Sequence, residues 1–319
     1  MKIVLLDSNS LGEGLDLTVF NSLGELISYG YTEKKEVPSR IKDADVIITN
    51  KVALNRKNLI HAVNLKLICV TGTGTDNIDK EYLNETGIVL SNAVNYSTES
   101  VAQHTFAMLF YLYEKLAYYD KYVKSGKYID DDKFSHYETT FSELYGKKWG
   151  IIGLGTIGKR VAEIAEAFGC NVSFFSASGK TQSNKYEQVE LNTLLSESDI
   201  VSIHAPLNKH TEGLLSYDNM SVMKSDSILL NLGRGGIINE EDLARILEED
   251  IIGGAGLDVL SEEPMKRSCP LAGLKRNSHK LFITPHIGWA SSESRQRVIQ
   301  EVYYNIAAYI EGDKRNEVL

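Results

Sequence analysis

Gly150–Gly158 reads GIIGLGTIG. An apolar run, Trp149–Ile152, leads into it, and a helix-like stretch, Lys159–Phe168, leaves it. In that setting a Gly-x-Gly-x-x-Gly pattern predicts a strand, a tight turn and a helix. Gly153 serves the turn, Gly155 lets a pyrophosphate approach the backbone, and Gly158 lets helix pack on strand. The helix N-terminus then offers free N–H groups and a positive dipole end to phosphate. A turn that uses glycines only to bend is the plainer reading, and the flanking strand and helix outweigh it.

Short β-rich runs recur on both sides of this loop. Upstream lie Lys2–Asp7, Leu26–Tyr29, Asp45–Thr49, Leu67–Val70 and Ile88–Ser91. Downstream, after Trp149–Ile152, come Asn171–Ser176, Ile200–His204, Ser227–Asn231, Gly254–Asp258 and Leu281–Thr284. Polar, helix-like stretches separate them, which is the pattern of parallel sheets covered on both faces. The class is therefore α/β, with two doubly wound parallel-sheet domains, the second containing six strands. Between the two series, Glu99–Tyr119 is apolar on most faces and reads as one long helix that must be buried. Ser125–Glu143 has no periodicity, and its acids Asp130, Asp131 and Asp132 read as a solvated loop.

Bulk composition restricts the function. With 319 residues, 43% of them apolar, the chain exceeds the size of one ordinary core. A net charge of −9 and a pI near 5.4 oppose nucleic-acid and anionic-membrane partners. No apolar run approaches the ~20 residues of a membrane span. Cys69, Cys170 and Cys269 are widely spaced and odd in number. They suggest neither disulfide framework nor metal site, and read as ordinary buried thiols of a cytoplasmic protein.

Three strand-end motifs carry the chemistry: Asn231–Gly235 (NLGRG), Leu257–Pro264 (LDVLSEEP) and Thr284–Trp289 (TPHIGW). A guanidinium such as that of Arg234 matches a carboxylate with an adjacent carbonyl. A histidine such as His286 moves a proton, and a carboxylate such as Glu263 stabilises its imidazolium form. Alone, each has a plainer reading as a turn arginine, a solvated glutamate or a structural histidine. Three strand ends of one sheet converge on one crevice, and that favours a joint role. The strand after the glycine loop should end in an acid for the adenosine 2′-hydroxyl. Ser176 stands there, followed by Ala177, Ser178, Gly179 and Lys180, so NAD and NADP both remain open.

In these motifs and their spacing, the chain resembles the D-isomer-specific 2-hydroxyacid dehydrogenase family over essentially its whole length. Asn95–Phe110, Asp258–Pro264 and Thr284–Arg297 look most like its glycerate dehydrogenase (hydroxypyruvate reductase) branch. The resemblance implies a flavodoxin-like substrate domain from residues 1–98 and 290–319. It also implies a Rossmann cofactor domain from 99–289, with the active site in the cleft between them. Residues around 99–145 would make a homodimer. The amides of Thr73 and Gly74, in the loop Thr71–Asn77, would bind a substrate carboxylate together with Arg234. Gly153, Gly155, Thr156, Ile157, Gly158, Ser176, His204, Ala205, Pro206, Leu232, Gly233, His286 and Gly288 would line the cofactor site, with Asp258 on the nicotinamide carboxamide. The implied reaction interconverts a small 2-oxo acid and its D-2-hydroxy acid with NAD or NADP and without a metal. Hydroxypyruvate and glyoxylate lead as substrates. Phosphoglycerate- and D-lactate-type dehydrogenases are alternatives, as is a non-enzymatic nicotinamide-sensing protein. Ser176 departs from the acid of NAD-using members, and Gln103 from a common Glu.

Overall fold

The computed structural model describes residues 1–319, which divide into two compact units. The first joins 1–97 to 289–319; the second is 98–288.

In the first unit, β1 (Lys2–Leu5), β2 (Glu25–Ser28), β3 (Val46–Thr49), β4 (Leu67–Val70) and β5 (Val89–Asn92) form a parallel sheet in the order β2-β1-β3-β4-β5. Every residue of β3 and β4 is buried, as expected where both faces carry apolar layers. One layer comes from the C-terminal helix Ser292–Glu311, whose Val298, Val302 and Ile306 pack with Ile3, Ile48 and Leu67. Ser291 caps it by accepting from the Ser294 N–H, and left-handed Gly312 ends it. Its Asn305 donates to the Asn92 carbonyl at 2.8 Å, tying the returning chain to the end of β5.

The second unit holds β6 (Lys148–Ile152), β7 (Asn171–Phe175), β8 (Glu187–Gln188), β9 (Ile200–Ile203), β10 (Ile228–Asn231), β11 (Gly254–Leu257) and β12 (Leu281–Ile283). Their order is β12-β11-β10-β9-β6-β7-β8, all parallel. The sheet has seven strands, where six were expected. β8 is only two residues long and pairs at the edge with Ser173 and Phe174, so its pattern was too short to read. The strand order reverses beside β6, the position where a doubly wound sheet opens a crevice for ligands.

The expected helix Glu99–Tyr119 is in fact two, Thr98–Tyr113 and Leu116–Lys124. Lys115, in the left-handed region at φ 57°, breaks it without the glycine or proline that would have signalled a stop. The first helix buries nine side chains and the second none. The burial expected of the whole stretch thus holds only up to Tyr113. No helix is long and apolar enough to cross a membrane.

Candidate active site

The glycine loop sits on the C-terminal end of β6, at the reversal point. Gly153 has φ +94°, a backbone conformation that side-chain-bearing residues rarely adopt. A Cβ on Gly158 would stand 2.2 Å from the Gly153 carbonyl oxygen, so only glycine lets the helix pack this closely on the turn. A Cβ on Gly155 would meet nothing within 4 Å, which leaves open space above the turn. The helix begins at Thr156, three residues earlier than its apolar periodicity suggested, because Thr156 and Ile157 already belong to its first turn. Gly155 caps it with no side chain, so no capping side chain accepts from the first-turn N–H groups. A helix N-terminus with open space above a glycine turn has the donors and the room that a dinucleotide pyrophosphate needs.

Around the cradle, the neighbouring strand ends contribute as follows. Ser176, at the end of β7, is buried, and its carbonyl accepts from Gly179 N–H at 3.0 Å in a turn. Ser178 and Lys180 are exposed beyond it. After β9, the His204 N–H donates to the Ile152 carbonyl, and both ring nitrogens are closed off from solvent without a partner. Burial pushes this imidazole down to about 3, so it is neutral at any physiological pH. Ala205 is buried and Pro206 exposed. Leu232 and Gly233 follow β10, where the Asn231 side chain accepts from Gly233 N–H at 3.0 Å and donates to the Arg234 carbonyl at 2.9 Å. Sequence reasoning did not single out Asn231, although an Asn before a glycine turn is a known backbone clamp.

β10, β11 and β12 are adjacent and in register, Asn231 opposite Leu257 and Leu257 opposite Ile283. Arg234, Glu263 and His286 therefore all follow the C-terminal ends of three adjacent strands. The Arg234 guanidinium donates to the Gly233 carbonyl at 2.8 Å. His286 Nδ1 lies 2.7 Å from Glu263 Oε2, while Glu263 Oε1 accepts from Leu260 N–H at 3.0 Å. Since a carboxylate only accepts, Nδ1 carries the shared proton, and Nε2 is the ring nitrogen that this pair does not use. The Glu263–Pro264 peptide is cis.

Asp258 was implied to face the nicotinamide carboxamide. It is buried, and its oxygens already accept from Thr284 Oγ1 at 2.6 Å, Ile287 N–H at 2.9 Å and Gly288 N–H at 2.8 Å. Burial works against its charge, but His104, 3.5 Å away, and hydrogen bonds from Thr284, Gly288 and Ile287 outweigh it and hold the carboxyl below its usual range. Asp258 thus grips the loop that carries His286.

In the first unit, Thr73 Oγ1 donates to the Ala93 carbonyl and Asn92 Nδ2 to the Thr73 carbonyl, at 3.0 and 2.7 Å. The loop is pinned while the N–H groups of Thr73 and Gly74 have no backbone acceptor. Elsewhere, Cys69 and Cys170 are buried as expected, but Cys269 is half-buried, beside Glu240. Of the three loop acids, Asp131 is engaged: its carboxylate accepts from the Tyr122 hydroxyl at 2.6 Å.

A parallel sheet with a phosphate cradle at its reversal point, and an arginine and a glutamate–histidine pair at neighbouring strand ends, defines a dinucleotide-dependent dehydrogenase. A model of the D-isomer specific 2-hydroxyacid dehydrogenase NAD binding domain matches residues 106–288. Hydroxypyruvate reductase of Blautia hydrogenotrophica is 37% identical, covering 100% of this chain and 99% of that protein. Glycerate dehydrogenase of Methylorubrum extorquens is 33% identical over 99% and 98%. Among solved structures, an acyclic imino acid reductase (Bsp5) in complex with NADPH and D-Arg superposes with a TM-score of 0.89, at 31% identity and full coverage of both chains. The chain belongs to the D-isomer-specific 2-hydroxyacid dehydrogenase family. It is accordingly an oxidoreductase of CH–OH groups that works with NAD or NADP.

Proposed function

We propose that the chain reduces hydroxypyruvate, and glyoxylate less well, with D-glycerate oxidation as the reverse reaction. The observation that carries the chemistry is the His286–Glu263 pair, 2.7 Å apart at a strand end beside that of Arg234. The substrate class rests on full-length similarity to proteins named hydroxypyruvate reductase and glycerate dehydrogenase.

When bound, the nicotinamide supplies the hydride or accepts it. The chain's own residues do the rest. In the first unit (residues 1–97 and 289–319, the substrate-binding part), the Thr73 and Gly74 amides supply two donors to the carboxylate. In the second (98–288, the cofactor-binding part), Arg234 supplies a guanidinium that binds the carboxylate and polarises the 2-oxo group. His286 Nε2–H gives its proton to the oxygen that becomes the hydroxyl, and Glu263, 2.7 Å from Nδ1, holds the ring for that transfer. Running backward, neutral Nε2 takes the proton from the alcohol. The cofactor set is Gly153, Gly155, Thr156, Ile157, Gly158, Ser176, His204, Ala205, Pro206, Leu232, Gly233 and Gly288. His286 also borders the cofactor, and Asp258, which grips the Thr284–Gly288 loop, faces the nicotinamide carboxamide.

We further infer a homodimer formed through residues around 99–145, a segment whose later part concentrates exposed aromatics, and a cytoplasmic setting in which three free thiols stay reduced. The reaction is tested by a matrix of kcat/KM for hydroxypyruvate, glyoxylate, pyruvate and 2-oxoisocaproate, each with NADH and NADPH. Hydroxypyruvate should lead. If no 2-oxo acid is reduced while NADH still binds, the chain is a nicotinamide-binding protein and not a reductase.

A further inference from the structure

One face of the helix Thr98–Tyr113 lies along the loop that carries His286. Ser100, His104 and Met108 are each four residues apart, so they stack on one side of the helix. Ser100 Oγ donates to the Gly288 carbonyl at 2.7 Å, and Met108 Sδ is 3.9 Å from Thr284 Oγ1. Between them, His104 Nε2 lies 3.0 Å from Thr284 Oγ1 and 3.5 Å from Asp258 Oδ1.

The direction of this chain of hydrogen bonds follows from its end. Asp258 Oδ1 can only accept, and at 2.6 Å it takes the single proton of the Thr284 hydroxyl. Thr284 Oγ1 is then left as an acceptor, so His104 presents Nε2–H to it. On its far side Asp258 holds the rest of the loop. Its carboxylate takes the Ile287 and Gly288 amides, and its carbonyl takes the His286 N–H at 2.8 Å. His286 needs this grip: its φ is +55°, in the left-handed region that a side-chain-bearing residue occupies only when its surroundings over-determine it.

We propose that His104 is a positioning residue for His286. Its Nε2–H fixes the Thr284 hydroxyl on Asp258, and Asp258 fixes the backbone that aims the imidazole. The role rests on reading His286 as the proton donor. Neither the ring nor its charge enters the reaction, since one neutral N–H donor satisfies Thr284. A glutamine, whose side-chain N–H₂ can reach a similar point, should replace it, whereas phenylalanine or methionine should not.

The test compares wild type, His104→Phe, His104→Met and His104→Gln as full-length protein. Amide hydrogen exchange at Ile287 and Gly288, measured without substrate, should speed up about tenfold or more in the Phe and Met variants, and stay within about threefold of wild type in the Gln variant. Turnover of hydroxypyruvate should fall about tenfold or more in the first two, with KM changed less than about twofold, because carboxylate anchoring is untouched. The Gln variant should recover most of it. Unchanged exchange in both Phe and Met variants, or equal losses in all three, would overturn the assignment. Because exchange is read without substrate, a chain inert toward 2-oxo acids would sink the proposed function and still leave this measurement its own answer.

Discussion

His286 combines two demands on one residue: a backbone held left-handed at φ +55° and an imidazole held at 2.7 Å by Glu263. A His286→Ala variant should lose turnover by about 100-fold or more, since general acid catalysis contributes roughly 10²–10⁴-fold. NADH affinity, followed by fluorescence titration, should survive; a variant with near-normal turnover would displace His286 from the role. His204 gives a second prediction at this scale, this time for stability. Unfolded, its ring titrates near 6.5; folded, burial holds it at about 3. Below pH 6.5 the unfolded chain therefore binds more protons, and stability falls as pH drops, by about 2 kcal/mol at pH 5. His204→Asn, which cannot titrate, should show a smaller loss of Tm between pH 7 and pH 5 than the wild type. Equal losses in both would mean that another group sets the acid limb.

At the scale of elements, parallel register does the assembling. Because β10, β11 and β12 pair in register, residues far apart in sequence follow the C-terminal ends of three adjacent strands. The β6–turn–helix unit adds the phosphate cradle where the strand order reverses. The β7 end is where cofactor choice is tested. Ser176 presents no charge there, so Ser176→Asp should move the kcat/KM ratio toward NADH by repelling a 2′-phosphate. An unchanged NADH/NADPH ratio would take residue 176 out of the adenosine site.

For the whole molecule, the distribution of exposed apolar side chains carries the argument. Phe134 is 94% exposed, Tyr137 78% and Tyr145 80%, all within one stretch after the helix Leu116–Lys124. Exposed apolar side chains concentrated in one segment are what the proposed homodimer would cover. A Phe134→Asp, Tyr137→Asp double variant should shift the protein toward monomer in light scattering, and an unchanged mass would place the contact elsewhere.

The fold class and the type of reaction were readable from local patterns. Continuous apolar runs at β3, β4 and β10 announce buried parallel strands, and GIIGLGTIG announces the cradle, because each is a local pattern with a local cause. Arg234, Glu263 and His286 were legible as strand-end residues of the right types. Only the tertiary structure decided what those residues touch. The two-residue edge strand β8 has no pattern of its own, and the left-handed break at Lys115 has no local signal. Asp258 was legible as a site residue but not as the clamp of the His286 loop, and His104 was not legible at all. Its partners, Thr284 and Asp258, lie more than 150 residues away in sequence, and hydrogen bonds of that kind exist only once helix and sheet have packed.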